Sequence, residues 1–164
     1  MRDEIANLNP NHDVKGFEIS FEYLIGGKPL KGSLYPPRTS LYRKKSAHYQ
    51  RDGHTQRVVI DGLVLRLEQK MQHDDRKPYS RWLASQRKYA AQEAQKLSQS
   101  NWGQLSWPDR ARYLGIAPLV VLPYTLFVKG LIHSGKPGFE YAGQRLVAEC
   151  YLQLARIKLL VRLS

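Results

Sequence analysis

Hydrophobic and polar residues alternate along the first half of the chain. From residue 17 to residue 25, aromatic and aliphatic side chains occupy every odd position, and mostly polar side chains occupy the even ones. A period of two places each set on one face of a strand, so this segment predicts a half-buried strand. Residues 26–29, Gly-Gly-Lys-Pro, then predict a hairpin turn. Further short strands are predicted at residues 39–43, 57–60 and 63–67, with Asp61-Gly62 as a tight turn between the last two.

The spacing of apolar residues changes after Pro78. Residues 80–98 contain no Gly or Pro, and their apolar side chains return to one helical face, at Leu83, Ala90, Ala94 and Leu97. This spacing predicts a helix. Pro108 is typical of the first turn of a second, short helix, with Asp109 near its positive end. Residues 139–163 predict a long amphipathic helix with an apolar stripe of Leu146, Cys150, Leu154, Ile157 and Val161.

These patterns predict an α+β fold, in which a small, mostly antiparallel sheet precedes a helical C-terminal half. Three regions follow from the change in pattern. Residues 1–78 hold the sheet and its loops, residues 79–108 a helix and a connecting loop, and residues 109–164 the apolar and amphipathic helical segments. At 164 residues, the chain has the size of one ordinary domain.

Residues 115–132 form an unusually apolar stretch. Seventeen of these eighteen residues carry no charge, Lys129 being the exception, and Pro118 and Pro123 interrupt the run. The length borders on that of a membrane span, but the prolines and the lysine favour helices that lie in a membrane interface. We therefore expect peripheral attachment to the inner face of the membrane. The alternative is a pair of helices buried against another part of the protein.

The composition is strongly basic. Twenty-six Lys and Arg against fourteen Asp and Glu leave a formal net charge of +12, which favours anionic partners. Nucleic acid is not expected among them, because the basic residues are dispersed and form no RNA-binding or helix-turn-helix pattern. The single cysteine, Cys150, gives no disulfide framework and no zinc spacing. Residues 1–20 do not resemble a secretory signal, so a cytoplasmic setting is expected.

The first cluster with chemical potential is residues 33–43. Pro36 and Pro37 stiffen a loop that presents Tyr35 and two arginines, Arg38 and Arg43. A guanidinium held in one place is suited to binding phosphate or carboxylate. The alternative is a surface loop whose arginines are merely solvated.

The second cluster is the polar turn of residues 52–57, just before an apolar strand. Asp52 and His54 are titratable, and either group can accept a proton from a sugar hydroxyl as a general base. An ordinary Asp-Gly turn is the alternative.

The third cluster is residues 73–82, which combine two acids, three cations, a histidine and two aromatics. Carboxylates and imidazole can bind a divalent metal, while Arg and Lys can neutralise a departing diphosphate. The alternative is a helix start in which Asp74 or Asp75 caps the amides, Pro78 opens the first turn, and the charges form exposed pairs.

Several motifs occur together in a fixed order. They are LYPPRTSLYR, DGHTQRV, a DG turn, HDDRKPYSRWLASQRKYAAQEA, APLVVLPYTLFVKGLI and a final amphipathic helix. In this order and spacing, the chain closely resembles the C-terminal half of bacterial family 2 glycosyltransferases, the group that includes lipopolysaccharide core glucosyltransferases. The resemblance covers nearly the whole chain.

The resemblance implies the C-terminal part of a GT-A fold. It also implies inverting transfer of a sugar from a nucleotide-sugar to a glycan or lipid-linked acceptor in cell-envelope synthesis, with Mg²⁺ or Mn²⁺ as the cofactor. In that family, a Rossmann-like half with an Asp-x-Asp motif holds the nucleotide and metal. That half does not precede the sheet here, so we expect a fragment whose activity alone is in doubt. The alternative is a non-enzymatic membrane-surface or partner-binding module.

The resemblance also assigns roles to individual residues. The turn with Asp52 and His54 takes the place of a His-Glu pair close to the acceptor. Gln56 stands where the family has Glu, and an amide cannot act as a general base, so Asp52 and His54 become the candidate bases.

The remaining roles concern the phosphate, the acceptor and the metal. Arg76 and Lys77 belong to a loop that closes over the donor diphosphate in the family. His73 is a candidate metal ligand, and the alternative for it is a histidine that ends a strand. Donor or diphosphate binding is assigned to Arg38, Arg76, Lys77 and Arg81. The acceptor side is assigned to Tyr35, Gln56 and Trp82.

Overall fold

The protein is described here by a computed structural model, which covers residues 1–52 and 55–163. A short helix, α1 (Arg2–Ala6), precedes the sheets. The strands are β1 (Val14–Ile19), β2 (Phe21–Ile25), β3 (Lys28–Pro29), β4 (Arg38–Tyr42), β5 (Ala47–Asp52), β6 (Thr55–Ile60), β7 (Leu63–Arg66) and β8 (Met71–Asp74). The remaining helices are α2 (Tyr79–Gln99), α3 (Trp107–Tyr113), α4 (Ala117–Pro123) and α5 (Lys136–Leu163). The predicted α+β class and helical C-terminal half are confirmed.

The strands form three small sheets rather than one. Their orders are β4-β1-β7, β3-β2-β8 and β5-β6. Ser20 divides the predicted strand of residues 17–25 into β1 and β2, and β7 and β8 run parallel beside these two strands. The other pairings are antiparallel, including β2 with β3 across the predicted Gly26-Gly27 turn. Strand β5 was not predicted, and β8 agrees with the alternative for His73, which lies one residue before the end of that strand.

The predicted pairing of residues 57–60 with residues 63–67 is wrong. Strand β6 pairs with β5, and β7 pairs with β1. A two-residue type I′ turn needs a positive φ at both central residues. Only Gly62 has one, at 141°, and a Cβ there would collide with the side chain of Lys15 on β1. The glycine therefore allows β7 to approach β1 closely instead of turning the chain into a hairpin.

Helix α1 closes the end of the β1 sheet. Met1 and Leu8 pack on a core of Val14, Phe17, Ile19 and Leu67. The Glu4 carboxylate accepts hydrogen bonds from the backbone N–H groups of Glu68 and Gln69, at 2.7 and 3.1 Å. Glu68 and Gln69 belong to the loop between β7 and β8. Glu4 therefore fixes the loop that allows β7 to pair with β1 and β8 to pair with β2.

The helical half is built on α2 and α5. The predicted face of α2 is buried at Ala90, Ala94 and Leu97, where it meets Leu152 of α5. The predicted apolar stripe of α5 behaves differently, because Cys150, Leu154, Ile157 and Val161 are all exposed. The buried positions of α5 are Gly138, Tyr141, Ala142, Glu149 and Leu152.

A buried ion-pair network fastens α3 to α5. Arg112 donates to both carboxylate oxygens of Glu149, at 2.8 and 3.1 Å, and to Asp109 at 3.1 Å. Arg145 Nη2 lies 3.6 Å from Glu149 Oε1, and Glu149 is only 4% exposed. Burial alone lowers the pKa of the Arg112 guanidinium, but its hydrogen bonds to Glu149 and the charges of Glu149 and Asp109 raise it above its usual value. The predicted start of α3 is also confirmed, with Ser106 accepting from the backbone N–H of Asp109.

The predicted apolar stretch forms three consecutive short elements. Helix α4 continues into a π-helical turn, Tyr124–Val128, and then into a 3₁₀ turn, Leu131–Ser134. Pro118 lies in the first turn of α4, where a missing N–H costs nothing. Within residues 1–52 and 55–163, no helix is long and apolar enough to cross a membrane.

The sheet and the helices meet at a small core of Leu30, Leu131 and Tyr141. The backbone N–H of Lys31 donates to Ser134 Oγ at 3.0 Å, which ties the β3–β4 loop to the 3₁₀ turn. A Cβ at Gly32 would collide with the carbonyl oxygen of Lys129, so this position requires glycine. The interface fixes the β3–β4 loop, which forms one wall of the cleft described next.

Candidate functional site

A cleft of about 200 Å³ lies between β2, β8 and the first turns of α2 and α5. Aromatic side chains from two strands, one loop and two helices line this cleft. They are Tyr23 of β2, Tyr35 of the β3–β4 loop, His73 of β8, Tyr79 and Trp82 of α2, and Tyr141 of α5. Tyr35, His73, Lys77 and Trp82 were predicted as site residues from the sequence, and the fold brings these four together.

Tyr23 is the centre of the first aromatic group. Its ring stacks on Tyr35, with centroids 4.6 Å apart and planes at 18°, and meets the edge of His73 at 5.0 Å. Tyr23 and His73 are direct partners in the β2–β8 register. Burial, and then the neighbouring Tyr35 and Tyr141, raise the pKa of the Tyr23 hydroxyl well above its usual value. This hydroxyl therefore stays protonated and can donate a hydrogen bond.

Tyr79 and Trp82 form the second aromatic group. They are three residues apart in the first turn of α2, and their rings stack at 5.5 Å with planes at 16°. Residues at this spacing share one helical face, so the helix itself brings the two rings together. The two groups give the cleft flat apolar walls with polar atoms at their edges.

Tyr141 anchors the wall formed by the β3–β4 loop. Its hydroxyl accepts a hydrogen bond from the backbone N–H of Leu34 at 3.2 Å, beside Tyr35. Burial raises the pKa of Tyr141 to about 12. Arg145, one helical turn further along α5, lies 5.9 Å over the Tyr35 ring. Tyr23, Tyr141 and Arg145 were not predicted, because nothing local in the sequence shows which side of β2 or α5 faces a cleft.

The charged residues after β8 pair with one another. Arg76 Nε lies 2.7 Å from Asp74 Oδ2, and Lys77 Nζ lies 3.1 Å from Asp75 Oδ2. Asp75 and Lys77 line the cleft, while the Arg76 side chain is 77% exposed. The Asp75–Lys77 pair is exposed and matches one part of the alternative given for residues 73–82, whereas the Asp74 side chain is only 17% exposed. The predicted capping does not occur, since Pro78 is the N-cap residue of α2 and no side chain in the described part of the chain caps that helix.

The three other predicted cations take different positions. Arg38 begins β4 and is exposed, and its charge opposes the rise in the pKa of Tyr23. Arg38 therefore lies near Tyr23 but is not among the residues that line the cleft. Arg43 donates from Nε to the carbonyl oxygen of Val14, which gives it a structural role. Arg81 is exposed in the first turn of α2 and does not line the cleft.

The predicted catalytic turn belongs to the β5–β6 hairpin. Gln56 is exposed and pairs with Arg51, away from the cleft lining. Asp52 ends β5, but its side chain and all of His54 lie outside the described residues. In the part of the chain that the structure describes, this hairpin joins neither of the other sheets.

His73 has two possible metal ligands beside it in the sequence, Asp74 and Asp75. Among the described residues, no group of three or more His, Cys, Asp and Glu side chains could hold a metal ion. Asp74 and Asp75 already pair with Arg76 and Lys77. The Oδ1 atom of Asp74 is buried and has no hydrogen-bond partner among the described residues, but a single oxygen is not a metal shell. The described residues therefore do not by themselves fit Mg²⁺ or Mn²⁺.

Comparisons of this chain with protein-family models, with curated proteins and with solved structures found no match.

Proposed function

We propose that this chain forms the acceptor side and part of the diphosphate side of an inverting family 2 glycosyltransferase. The reaction moves a sugar from a nucleotide-sugar donor to a glycan or lipid-linked acceptor of the cell envelope. One observation carries the proposal: residues singled out in two separate sequence clusters, Tyr35 in one and His73, Lys77 and Trp82 in the other, line a single aromatic cleft.

The shape and chemistry of the cleft suit a sugar ring. A pyranose has apolar faces and a rim of hydroxyl groups. The stacked rings of Tyr79 and Trp82 offer a flat apolar surface, and the Tyr23 hydroxyl and the Glu140 carboxylate offer a donor and an acceptor at the edges. A glycan acceptor is therefore the ligand class that these residues favour.

The cations of the cleft suit the leaving group. In the proposed reaction, an acceptor hydroxyl attacks the anomeric carbon, the bond from that carbon to the phosphate oxygen breaks, and the nucleoside diphosphate leaves with the bonding electrons. Lys77 lines the cleft and the charge of Arg38 acts on Tyr23 within it, and both cations can stabilise the departing charge. The acceptor proton passes to a carboxylate or imidazole. Asp52 and His54 are the candidates from the family resemblance, and Asp75 and Glu140 are the carboxylates within the cleft.

The aromatic wall provides the test. We expect the full chain to bind a delipidated lipopolysaccharide core oligosaccharide in a calorimetric titration, and Trp82→Ala to weaken binding roughly threefold to tenfold through loss of an aromatic contact. Trp102→Ala is the matched control, because Trp102 is also half-exposed and packs on a tyrosine, Tyr113, outside the cleft.

Thermal unfolding of both variants checks that each remains folded. Equal binding by the wild type and Trp82→Ala would remove the cleft from the proposal. Absence of oligosaccharide binding in all three proteins would favour the non-enzymatic alternative, a membrane-surface or partner-binding module.

A further inference from the structure

Helix α4 and the π-helical turn after it form one continuous helical segment with two unlike faces. The inner face is buried at Ala117, Val121 and Thr125, each four residues from the next. The opposite face is exposed at Leu119, Val120, Tyr124, Phe127 and Val128, and this set is called the α4 outer face below. Leu119 is 78% exposed, Phe127 67% and Val128 70%.

The α4 outer face is apolar along its whole length. Residues 117–128 contain no charged side chain, and the only polar groups are the Tyr124 hydroxyl and Thr125, which bonds inward to the carbonyl oxygens of Val121 and Leu122. Leu114 and Ile116, just before α4, extend the apolar surface at 61% and 43% exposure. Surface helices ordinarily turn such a face inward, so an exposed contiguous patch of this kind marks an interaction site.

The charges around this face identify the partner. From residue 110 onward the sequence has eight Lys and Arg but only two Glu. Glu149 forms a buried ion-pair network with Arg112 and Arg145, which leaves six Lys and Arg against one Glu, Glu140. Lys129 closes the apolar segment, with Nζ 5.7 Å from the Tyr124 ring centroid. An apolar strip that carries a tyrosine and ends at a lysine, in a basic C-terminal half, complements an anionic bilayer surface better than it complements a protein.

We propose that the α4 outer face inserts into the headgroup boundary of an anionic lipid bilayer and holds the protein at its surface. The segment does not cross the membrane. Its apolar side chains enter the boundary region, to a depth of about 5–10 Å for helices of this kind, and the flanking cations contact the lipid phosphates. Binding requires both parts, because the apolar strip supplies insertion and the cations supply attraction.

The segment that carries the α4 outer face contacts the β3–β4 loop, which forms one wall of the cleft. Lys129, at the end of the segment, packs its carbonyl oxygen on Gly32, and Leu131 packs on Leu30. Both contacts are to the β3–β4 loop, which carries Tyr35 into the cleft. If the proposed function is correct, lipid binding keeps the cleft close to a lipid-linked acceptor. The binding itself does not depend on that reaction.

Co-sedimentation of the full chain with large unilamellar vesicles tests the proposal. One vesicle preparation contains phosphatidylglycerol and phosphatidylethanolamine, and the other contains only phosphatidylcholine. We expect binding to the anionic vesicles, weakened by salt, and at least a roughly tenfold loss of partitioning in the double variant Leu119→Ser/Phe127→Ser. The matched control is Leu63→Ser/Leu65→Ser, which removes two exposed leucines of β7 and should bind like the wild type.

Three results would overturn the proposal. The first is undiminished vesicle binding by Leu119→Ser/Phe127→Ser. The second is equal binding to both kinds of vesicle, which would remove the electrostatic component. The third is a lipid-free dimer in analytical ultracentrifugation that this variant dissociates, which would assign the α4 outer face to a second copy of the chain. Oligosaccharide binding in the cleft is measured separately, so failure of either proposal leaves the other intact.

Discussion

Two clusters of charged residues show how the same chemistry serves different purposes in this protein. The first joins Asp75 to Lys77, two exposed residues that line the cleft, with the Asp74–Arg76 pair beside them. The second joins Arg112 of α3 to Glu149 of α5, thirty-seven positions apart and largely shielded from water.

Burial decides what each cluster can do. Exposed ion pairs contribute about 0–1 kcal/mol, so their members can exchange partners with a ligand at little cost. A buried charge that loses its partner costs far more, because no water replaces the lost interaction. The cluster beside the cleft is therefore free to act in binding, whereas the cluster between α3 and α5 maintains the fold.

Removing the buried cation gives the largest expected effect. Arg112→Leu leaves the Glu149 carboxylate buried with only Arg145, at 3.6 Å, so we expect unfolding in urea to require about 3 kcal/mol less free energy. Lys77→Leu, which breaks the exposed pair with Asp75, should cost less than about 1 kcal/mol. The double variant Arg112→Leu/Glu149→Leu should recover most of the loss. A small loss for Arg112→Leu alone would mean that water reaches Glu149.

Alkaline pH gives the second effect, through Tyr141. The pKa of its hydroxyl is about 12 in the fold against 10.0 for the unperturbed side chain, so the folded state favours the neutral form. This contribution is fully present below pH 10 and is lost as pH rises towards about 12. We expect unfolding measured at pH 9 and pH 11.5 to show a loss of roughly 2 kcal/mol attributable to this tyrosine.

Tyr141→Phe isolates that effect. The variant should be less stable at neutral pH by about 1–2 kcal/mol, because the Leu34 N–H loses its acceptor, and its stability should fall less steeply above pH 10. Tyr124→Phe, at an exposed tyrosine, is the control and should follow the wild type. An unchanged alkaline slope in Tyr141→Phe would show that another group titrates.

The smallest effect on stability is expected at the exposed cluster, where it should appear as a change in binding. Asp75→Asn removes the carboxylate 3.1 Å from Lys77, and should change the free energy of unfolding by less than about 1 kcal/mol. The freed ammonium should bind inorganic pyrophosphate roughly twofold to fivefold more tightly in calorimetry. Lys77→Gln should bind it more weakly than the wild type. Tighter binding by both variants would contradict a role for Lys77 in phosphate recognition.

Elements with a local cause could be predicted from the sequence. Helix α2 follows from the absence of Gly and Pro and from the return of Ala90, Ala94 and Leu97 to one face. The β2–β3 turn follows from Gly26 and Gly27, which both take a positive φ that other residues avoid. In each case, the responsible residues are within a few positions of one another.

Elements that depend on a choice of partner could not be predicted. Strand β7 was predicted as the second half of a hairpin with β6, but it pairs in parallel with β1, 48 or 49 residues earlier in the chain. Its alternating side chains suit either partner equally. Gly62 was predicted to be a turn residue, whereas its missing side chain allows the backbone to pass close to Lys15 of β1.

The candidate site divides in the same way. His73, Lys77, Tyr79 and Trp82 were grouped from the sequence because they belong to one short cluster, residues 73–82. Tyr23 and Tyr141 were missed, since their meeting at Tyr35 requires β2, the β3–β4 loop and α5 to pack first.

The sequence by itself therefore determined the α+β class, the helical C-terminal half, the position of α2 and the absence of charge along residues 117–128. Tertiary structure alone decided which strands pair, which aromatics share a cleft, and which apolar faces stay uncovered. The physical reason is range. Turn chemistry and helical periodicity act between neighbours, whereas pairing and burial depend on competition among distant segments with similar apolar patterns.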